Sequence, residues 1–197
     1  MTEWTVERAA AVLRQAEDNR ADRGPLTDEW PALDLDTAYR IQDEVLRGKL
    51  ADGRRVVGVK LGLTSRPKQE RMGIDSPLTA WLTDDMPLEP GTPLVVDELI
   101  HPRIEPEIVF VMGARLTGPD VTAEKALNAV ARVGAGLEVI DSRYTDFKFT
   151  LPDVVADNAS SARYVIGDTW YEPAGLDLAA EPCRLDIDGE QIDSATG

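Results

Sequence analysis

Glu105-Pro106-Glu107, within HPRIEPEIVFVMG, places two carboxylates one residue apart at the start of a strand-like run. Side chains alternate along a strand, so residues i and i+2 share a face. Two carboxylates on one face repel each other and resist leaving water unless a cation lies between them. Glu138, in GAGLEVIDSRY, is a third candidate, in a second strand-like run behind a helical segment, where a parallel or neighbouring strand would bring it alongside. Three oxygen ligands completed by water suit magnesium or manganese. Glu-x-Glu pairs also occur on solvated strand faces, so spacing alone leaves both readings open. Ile108, Phe110 and Met112 on one face, with Val109 and Val111 on the other, predict a strand buried on both sides. Glutamates in such a strand need a partner.

Lys60 lies between Gly58 and Gly62 on one face of GVKLG, where absent side chains leave room for a ligand or a backbone to approach the ammonium. It could shuttle a proton, or be the one polar residue on a half-buried strand. In DVVADNASS, small residues and hydroxyls precede a strand. Ser160, Ser161 and neighbouring N–H groups could receive a carboxylate there, or Asp157 and Asn158 could simply satisfy their own turn. Arg143 could bind an anionic group, but is expected rather to pair with Asp141 or Asp146. His101, the only histidine, precedes Pro102 and reads as a loop residue ordering the entry to the next strand. Schemes that need several histidines are therefore excluded. Cys183, alone, excludes an internal disulfide and a thiolate cluster, and reads as a small core residue.

The elements that must hold these groups follow from pattern. Val6, Ala9, Ala10, Leu13 and Ala16 recur at helical spacing from about Thr5 to Asn19, and a second amphipathic helix spans about Asp36 to Leu50, capped by Asp34 or Asp36. Gly24-Pro25 and Trp30-Pro31 mark the linker between them. RRVVGVKLGLTS reads as a strand with Val57, Val59, Leu61 and Leu63 opposite the lysine face. A short helix near Pro67 to Met72 precedes turns and short extended pieces from Pro77 to Pro93. Thr122 caps a helix expected to reach about Val133, and the Glu138 strand comes next. A polar loop from Asp146 to Asp157, the strand SARYVIG and a hairpin turning at Asp188-Gly189 complete the chain. Helices dominate the first half and strands the second, which predicts an α+β protein: a helical N-terminal lobe over 1–53 and a β-rich core over 54–197.

The 197 residues suffice for one domain or for a core with a smaller lobe. With 36 acidic against 21 basic residues the net charge is −15, which argues against nucleic acid or an anionic membrane as partner. No long apolar run or signal peptide stands out, so a cytoplasmic location is expected.

Taken together, GVKLGLTS, MGIDSP, HPRIEPEIVFV, LEVIDSRY and LPDVVADNASSARYVIG resemble the 2-oxopent-4-enoate hydratase and 4-oxalocrotonate decarboxylase family, within the fumarylacetoacetate hydrolase superfamily. The resemblance covers nearly the whole chain. It implies a mixed β-roll core, a Mg²⁺ or Mn²⁺ held by Glu105, Glu107 and Glu138, a catalytic Lys60 and no organic cofactor. Family hydratases usually read P-D-F-G where this chain reads SPLTAWLTDD. Leu78 thus stands in place of the aspartate that works with the lysine in hydration. The run RYTDFKFTLPDVVADN follows the decarboxylase pattern, whereas hydratases tend to carry tryptophan at the position of Phe147 and lack the Leu-Pro.

Both differences favour decarboxylation of a small 2-oxo dicarboxylate, 2-oxohex-3-enedioate, in the meta-cleavage route of aromatic degradation. The hydratase of that route is the near alternative, and a catalytically idle metal-binding subunit supporting a hydratase is a further one. The resemblance also leaves room for a homo-oligomer and for a complex with the pathway's hydratase. The sequence ends at DSATG, where family members continue through another helix and further core strands, so the core is expected to lack its C-terminal strands.

Overall fold

Apolar residues recur every three to four positions in two early stretches, and both are helices in the computed structural model, which describes residues 3–196. Residues 1, 2 and 197, the ends of the two expected domains, lie outside the described residues. Helix α1 (Val6–Asn19) is capped by Thr5, whose hydroxyl accepts from Arg8 N–H at 3.2 Å, and buries Ala9, Ala10, Leu13 and Ala16. A single turn, α2 (Leu26–Glu29), occupies the linker. Helix α3 (Leu35–Ala51) takes its cap from Asp34 at 2.8 Å and buries Ala38, Ile41, Gln42 and Val45. Full burial of a side chain such as Ile41 contributes roughly 1.5–3 kcal/mol.

The remaining elements are β1 (Val56–Gly62), α4 (Arg66–Met72), β2 (Leu78–Thr83), β3 (Pro87–Leu88), β4 (Arg103–Met112), α5 (Ala123–Asn128), β5 (Val130–Ile140), α6 (Leu151–Ala156), β6 (Ser161–Tyr171), β7 (Pro182–Ile187) and β8 (Glu190–Thr196). Strands β1 and β2 pair antiparallel, β3-β6-β5-β4 form a four-stranded sheet, and β7 and β8 form the expected hairpin. Its turn residues Asp188 and Gly189 both have positive φ, 52° and 83°, as a tight two-residue hairpin requires. The mixture of helix and sheet agrees with the α+β reading. No helix among the described residues is long and apolar enough to cross a membrane.

Contacts divide the chain into two compact units. The first comprises the chain through Pro87, Pro93–Arg103 and Val139–Arg163; the second comprises Leu88–Thr92, Ile104–Glu138 and the chain from Tyr164 onward. In the first, α3 packs on α1 and on α6. The buried Gln42 amide donates to the carbonyls of Thr79 and Val155, each at 3.0 Å, tying α3 to both β2 and α6. That bond, together with Leu78 in the same apolar core as Ile41, draws the β1–β2 pair to the helices.

Four local expectations are corrected. The helix that begins after Thr122 ends at Asn128, and Val130–Ile140 is one strand; β-branched Val130 and Val133 with Gly134 and Gly136 favour extension over helix. The segment expected to be a polar loop, Asp146 to Asp157, contains α6, whose Asp153, Val154, Val155 and Ala156 are buried. Its carboxylate is satisfied there: Asp153 closes a capping box with Thr150 and accepts from Thr27 N–H at 3.0 Å and Thr27 Oγ1 at 2.7 Å. Strand β4 is not buried on both sides, since Ile104, Phe110 and Met112 are 53, 47 and 47% exposed, and β4 ends the sheet order. Arg143 pairs with neither Asp141 nor Asp146 as its carboxylate partner, but with Asp157.

Candidate metal centre

Glu105 and Glu107 project from one face of β4, with Pro106 between them; proline is tolerated there because an end strand leaves backbone donors outside the ladder. The neighbouring β5 runs in the opposite sense: Gly113 lies against Ala131, and Gly136 against Val109. Counting two residues outward from the second contact places Glu138 opposite Glu107. Strand pairing alone thus delivers the third carboxylate. Gly136 is required at this crossing, because a Cβ there would stand 2.7 Å from Val109 Cγ2 and 2.9 Å from the Val165 carbonyl oxygen.

One oxygen from each of Glu105, Glu107 and Glu138 lies within 4.8 Å of the others. Glu138 is buried at 6% exposure, Glu105 is half-buried and Glu107 is exposed. A cation with oxygens at about 2.1 Å holds opposite ligands about 4.2 Å apart, and one with oxygens at about 2.5 Å holds them about 5 Å apart. The cluster has the span and the all-oxygen chemistry for a hard divalent cation, with coordination positions left for water or a substrate's oxygens.

Lys60 belongs to the first unit. The β1 alternation is as expected, yet its inward face is the one carrying Gly58, Lys60 and Gly62; Val57, Val59 and Leu61 are 51, 55 and 50% exposed. The Lys60 ammonium donates to the Ala159 carbonyl at 3.0 Å. Leu78 is a core side chain at 3% exposure.

Ser160 and Ser161 are both buried at 3% exposure, and the Ser160 hydroxyl donates to Asp157 Oδ2 at 3.3 Å. Asp157 also accepts from the Arg143 guanidinium and from Arg143 N–H, the latter at 3.1 Å. Arg143 further donates to the Asp141 carbonyl at 2.8 Å. Burial lifts the Asp157 carboxyl to about 6, against the pull of Arg143. Half-buried Glu17 moves the other way: burial pushes it up, but the charges of Arg143 and Lys49 outweigh that and hold it below the usual range. His101 behaves as expected of a loop residue. Its N–H donates to Asp141 Oδ1 at 2.8 Å, its ring meets the Ser142 carbonyl at 2.7 Å, and Phe147 packs on it. Cys183 is half-buried in β7.

Asn158 was legible only as a turn residue. Its side-chain amide accepts from Trp81 N–H at 2.8 Å and donates to the Trp81 carbonyl at 2.9 Å. The polar, small-residue run DNASS was the available signal, but nothing in it names a partner 77 residues away.

No family model matches the chain. A 2-hydroxyhexa-2,4-dienoate hydratase of Comamonas testosteroni is 38% identical over 194 residues, 98% of this chain and 74% of the hydratase. A 4-oxalocrotonate decarboxylase of Pseudomonas sp. (strain CF600) is 39% identical over 197 residues, all of this chain and 75% of the decarboxylase. The solved structure of 4-oxalocrotonate decarboxylase from Pseudomonas putida G7, complexed with magnesium and adipate, matches with a TM-score of 0.93 at 36% identity, over 100% of this chain and 76% of that one.

Proposed function

The chain belongs to the family of 4-oxalocrotonate decarboxylases and 2-keto-4-pentenoate hydratases, and from that premise we propose that it decarboxylates 2-oxohex-3-enedioate to 2-hydroxypenta-2,4-dienoate in meta-cleavage degradation of aromatics. The observation that carries the reading is the convergence of Glu105, Glu107 and Glu138. A relative at TM-score 0.93 is complexed with magnesium and adipate, a six-carbon dicarboxylate with the chain length of the proposed substrate. Family membership also supports a β-roll core of the fumarylacetoacetate hydrolase type.

Glu105, Glu107 and Glu138 would hold Mg²⁺ or Mn²⁺. When bound, the cation supplies Lewis acidity toward the substrate's C1 carboxylate and C2 ketone, where negative charge develops. In the reaction the C5–C6 bond breaks and CO₂ leaves from C6. The bonding pair becomes C4=C5, the former C3=C4 pair becomes C2=C3, and the C2 carbonyl pair moves onto oxygen, which takes up a proton as the enol product forms. Lys60 is assigned that proton or the orientation of the substrate, and the turn bearing Ser160 and Ser161 is the proposed contact for a substrate carboxylate. A cytoplasmic location, a homo-oligomer and a complex with the pathway's hydratase belong to the same proposal.

Hydration of 2-hydroxypenta-2,4-dienoate is the second reading, favoured by hydratases among the relatives at the same level of identity. Turnover of 2-oxohex-3-enedioate with Mg²⁺, followed as loss of the conjugated dicarboxylate and release of CO₂, with and without EDTA, separates the two. Metal-dependent CO₂ release is expected. No release, with hydration of the dienoate instead, overturns decarboxylation in favour of the hydratase.

A further inference from the structure

Three consecutive non-glycine residues, Asn158, Ala159 and Ser160, hold left-handed backbone with φ of 50, 48 and 58°. Such conformations are disfavoured for residues bearing a Cβ and persist where the surroundings over-determine them. Here two anchors do so. Behind the turn, Asp157 is buried against Arg143 at 2 and 4% exposure. Ahead of it, the Asn158 amide grips both backbone polar groups of Trp81.

What the turn achieves is the aim of one carbonyl. Ala159 presents its oxygen to Lys60 Nζ at 3.0 Å. The connection closes on itself: Lys60 pairs with Ala80 in the β1–β2 ladder, Ala80 precedes Trp81, Trp81 is clamped by Asn158, and Asn158 precedes the carbonyl that holds the Lys60 ammonium. A lysine side chain has several rotatable bonds and three donors. Fixing one donor on a rigid acceptor limits where the other two point, which is the requirement for proton delivery or substrate orientation.

We propose that Asn158 is a positioning residue for Lys60, its amide locking the left-handed turn onto β2 so that the Ala159 carbonyl holds the ammonium in its working orientation. The proposal rests on the assignment of Lys60 to the reaction. It concerns geometry within the first unit and requires no contact between Asn158 and substrate.

The test compares Asn158→Ala with Asn158→Gly. Glycine relieves the left-handed backbone and alanine does not, yet both delete the clamp, so both are expected to lower kcat. The fall is about tenfold to a hundredfold with KM within about twofold, the pattern of lost orientation rather than lost binding. A second readout does not depend on turnover. In protein labelled with ¹⁵N-lysine, five side-chain signals are to be resolved, and Lys60→Arg identifies the one from Lys60.

Proton exchange at Lys60 Nζ should be slow in the parent protein and, in both variants, rise to that of Lys148, whose side chain is 78% exposed. A glycine variant with parental kcat and parental Nζ exchange overturns the proposal, because relief of the backbone without the clamp would then suffice. Should the alanine variant fail to fold, the glycine variant decides alone. If the parent protein does not turn over 2-oxohex-3-enedioate, the functional reading fails, while the exchange measurement still upholds or overturns the positioning role.

Discussion

The two units of this chain each assemble charged side chains around a strand end, and they resolve the charge in opposite ways. In the first, Asp157 and Arg143 neutralise each other, and Ser142, Ser160 and the Asp141 carbonyl hydrogen-bond to the pair. In the second, Glu105, Glu107 and Glu138 bring three groups of one sign within 4.8 Å. A buried pair of opposite charges fixes structure, because removing either partner strands the other in low dielectric. A cluster of like charges can hold a divalent cation from outside. The contrast separates a scaffold network from a candidate site.

The largest effect should come from breaking the scaffold. Arg143→Ala leaves Asp157 buried without its counter-charge and is expected to destabilise the fold by about 3–5 kcal/mol, measured by urea denaturation. A loss below about 1 kcal/mol would mean the pair behaves like a surface salt bridge and would erase the contrast. The converse change, Glu138→Gln, should leave the fold standing but weaken Mn²⁺ binding at least about 100-fold, the upper end of what even groups behind a metal's direct ligands cost. Isothermal titration with Mn²⁺ checks this, and unchanged affinity would remove Glu138 from the ligand set.

The smallest effect is one of pH. Asp157 carries a folded-state value of about 6 against 3.8 unfolded, so the folded protein binds the proton more tightly. Its contribution to stability is fully present below pH 3.8 and is lost as pH rises through about 6. Relative to Asp157→Asn, the parent protein should therefore lose stability across that window, on the order of 2 kcal/mol. Glu17, held low by Arg143 and Lys49, works with the opposite sign: its contribution is present above its unfolded value of 4.5 and fades as pH falls through its lower folded one. Denaturation midpoints at several pH values, taken on both proteins, isolate the Asp157 slope.

The carboxylates of the candidate site were more legible in the sequence than the frame that holds them. Glu105, Glu107 and Lys60 were visible because strand alternation is local and a charged side chain in an apolar or glycine-flanked run stands out. Glu138 was visible as a candidate, but its approach to Glu107 depends on the pairing of β4 with β5, which periodicity does not encode. The helix after Thr122 reads as too long because Ala129, Ala131 and Arg132 carry helix propensity past Asn128, where tertiary pairing takes over. Helix α6 escaped notice because six residues hold too few turns for periodicity. The exposed face of β1 was hidden for another reason: alternation tells which residues share a side, but not which side the molecule covers.

The missing Cβ at residue 136 gives the strand pair a built-in register mark. Only glycine passes beneath Val109, so sliding β5 by one residue would bring Ala135 or Leu137 into a gap that admits no side chain, and would turn Glu138 to the other face of the sheet. A cation held by the three glutamates would stabilise only the correctly aligned strands, adding binding free energy to that alignment and to no other. Metal loading would then act as proofreading of strand pairing, with the ion selecting among alignments of the chain as well as serving the reaction.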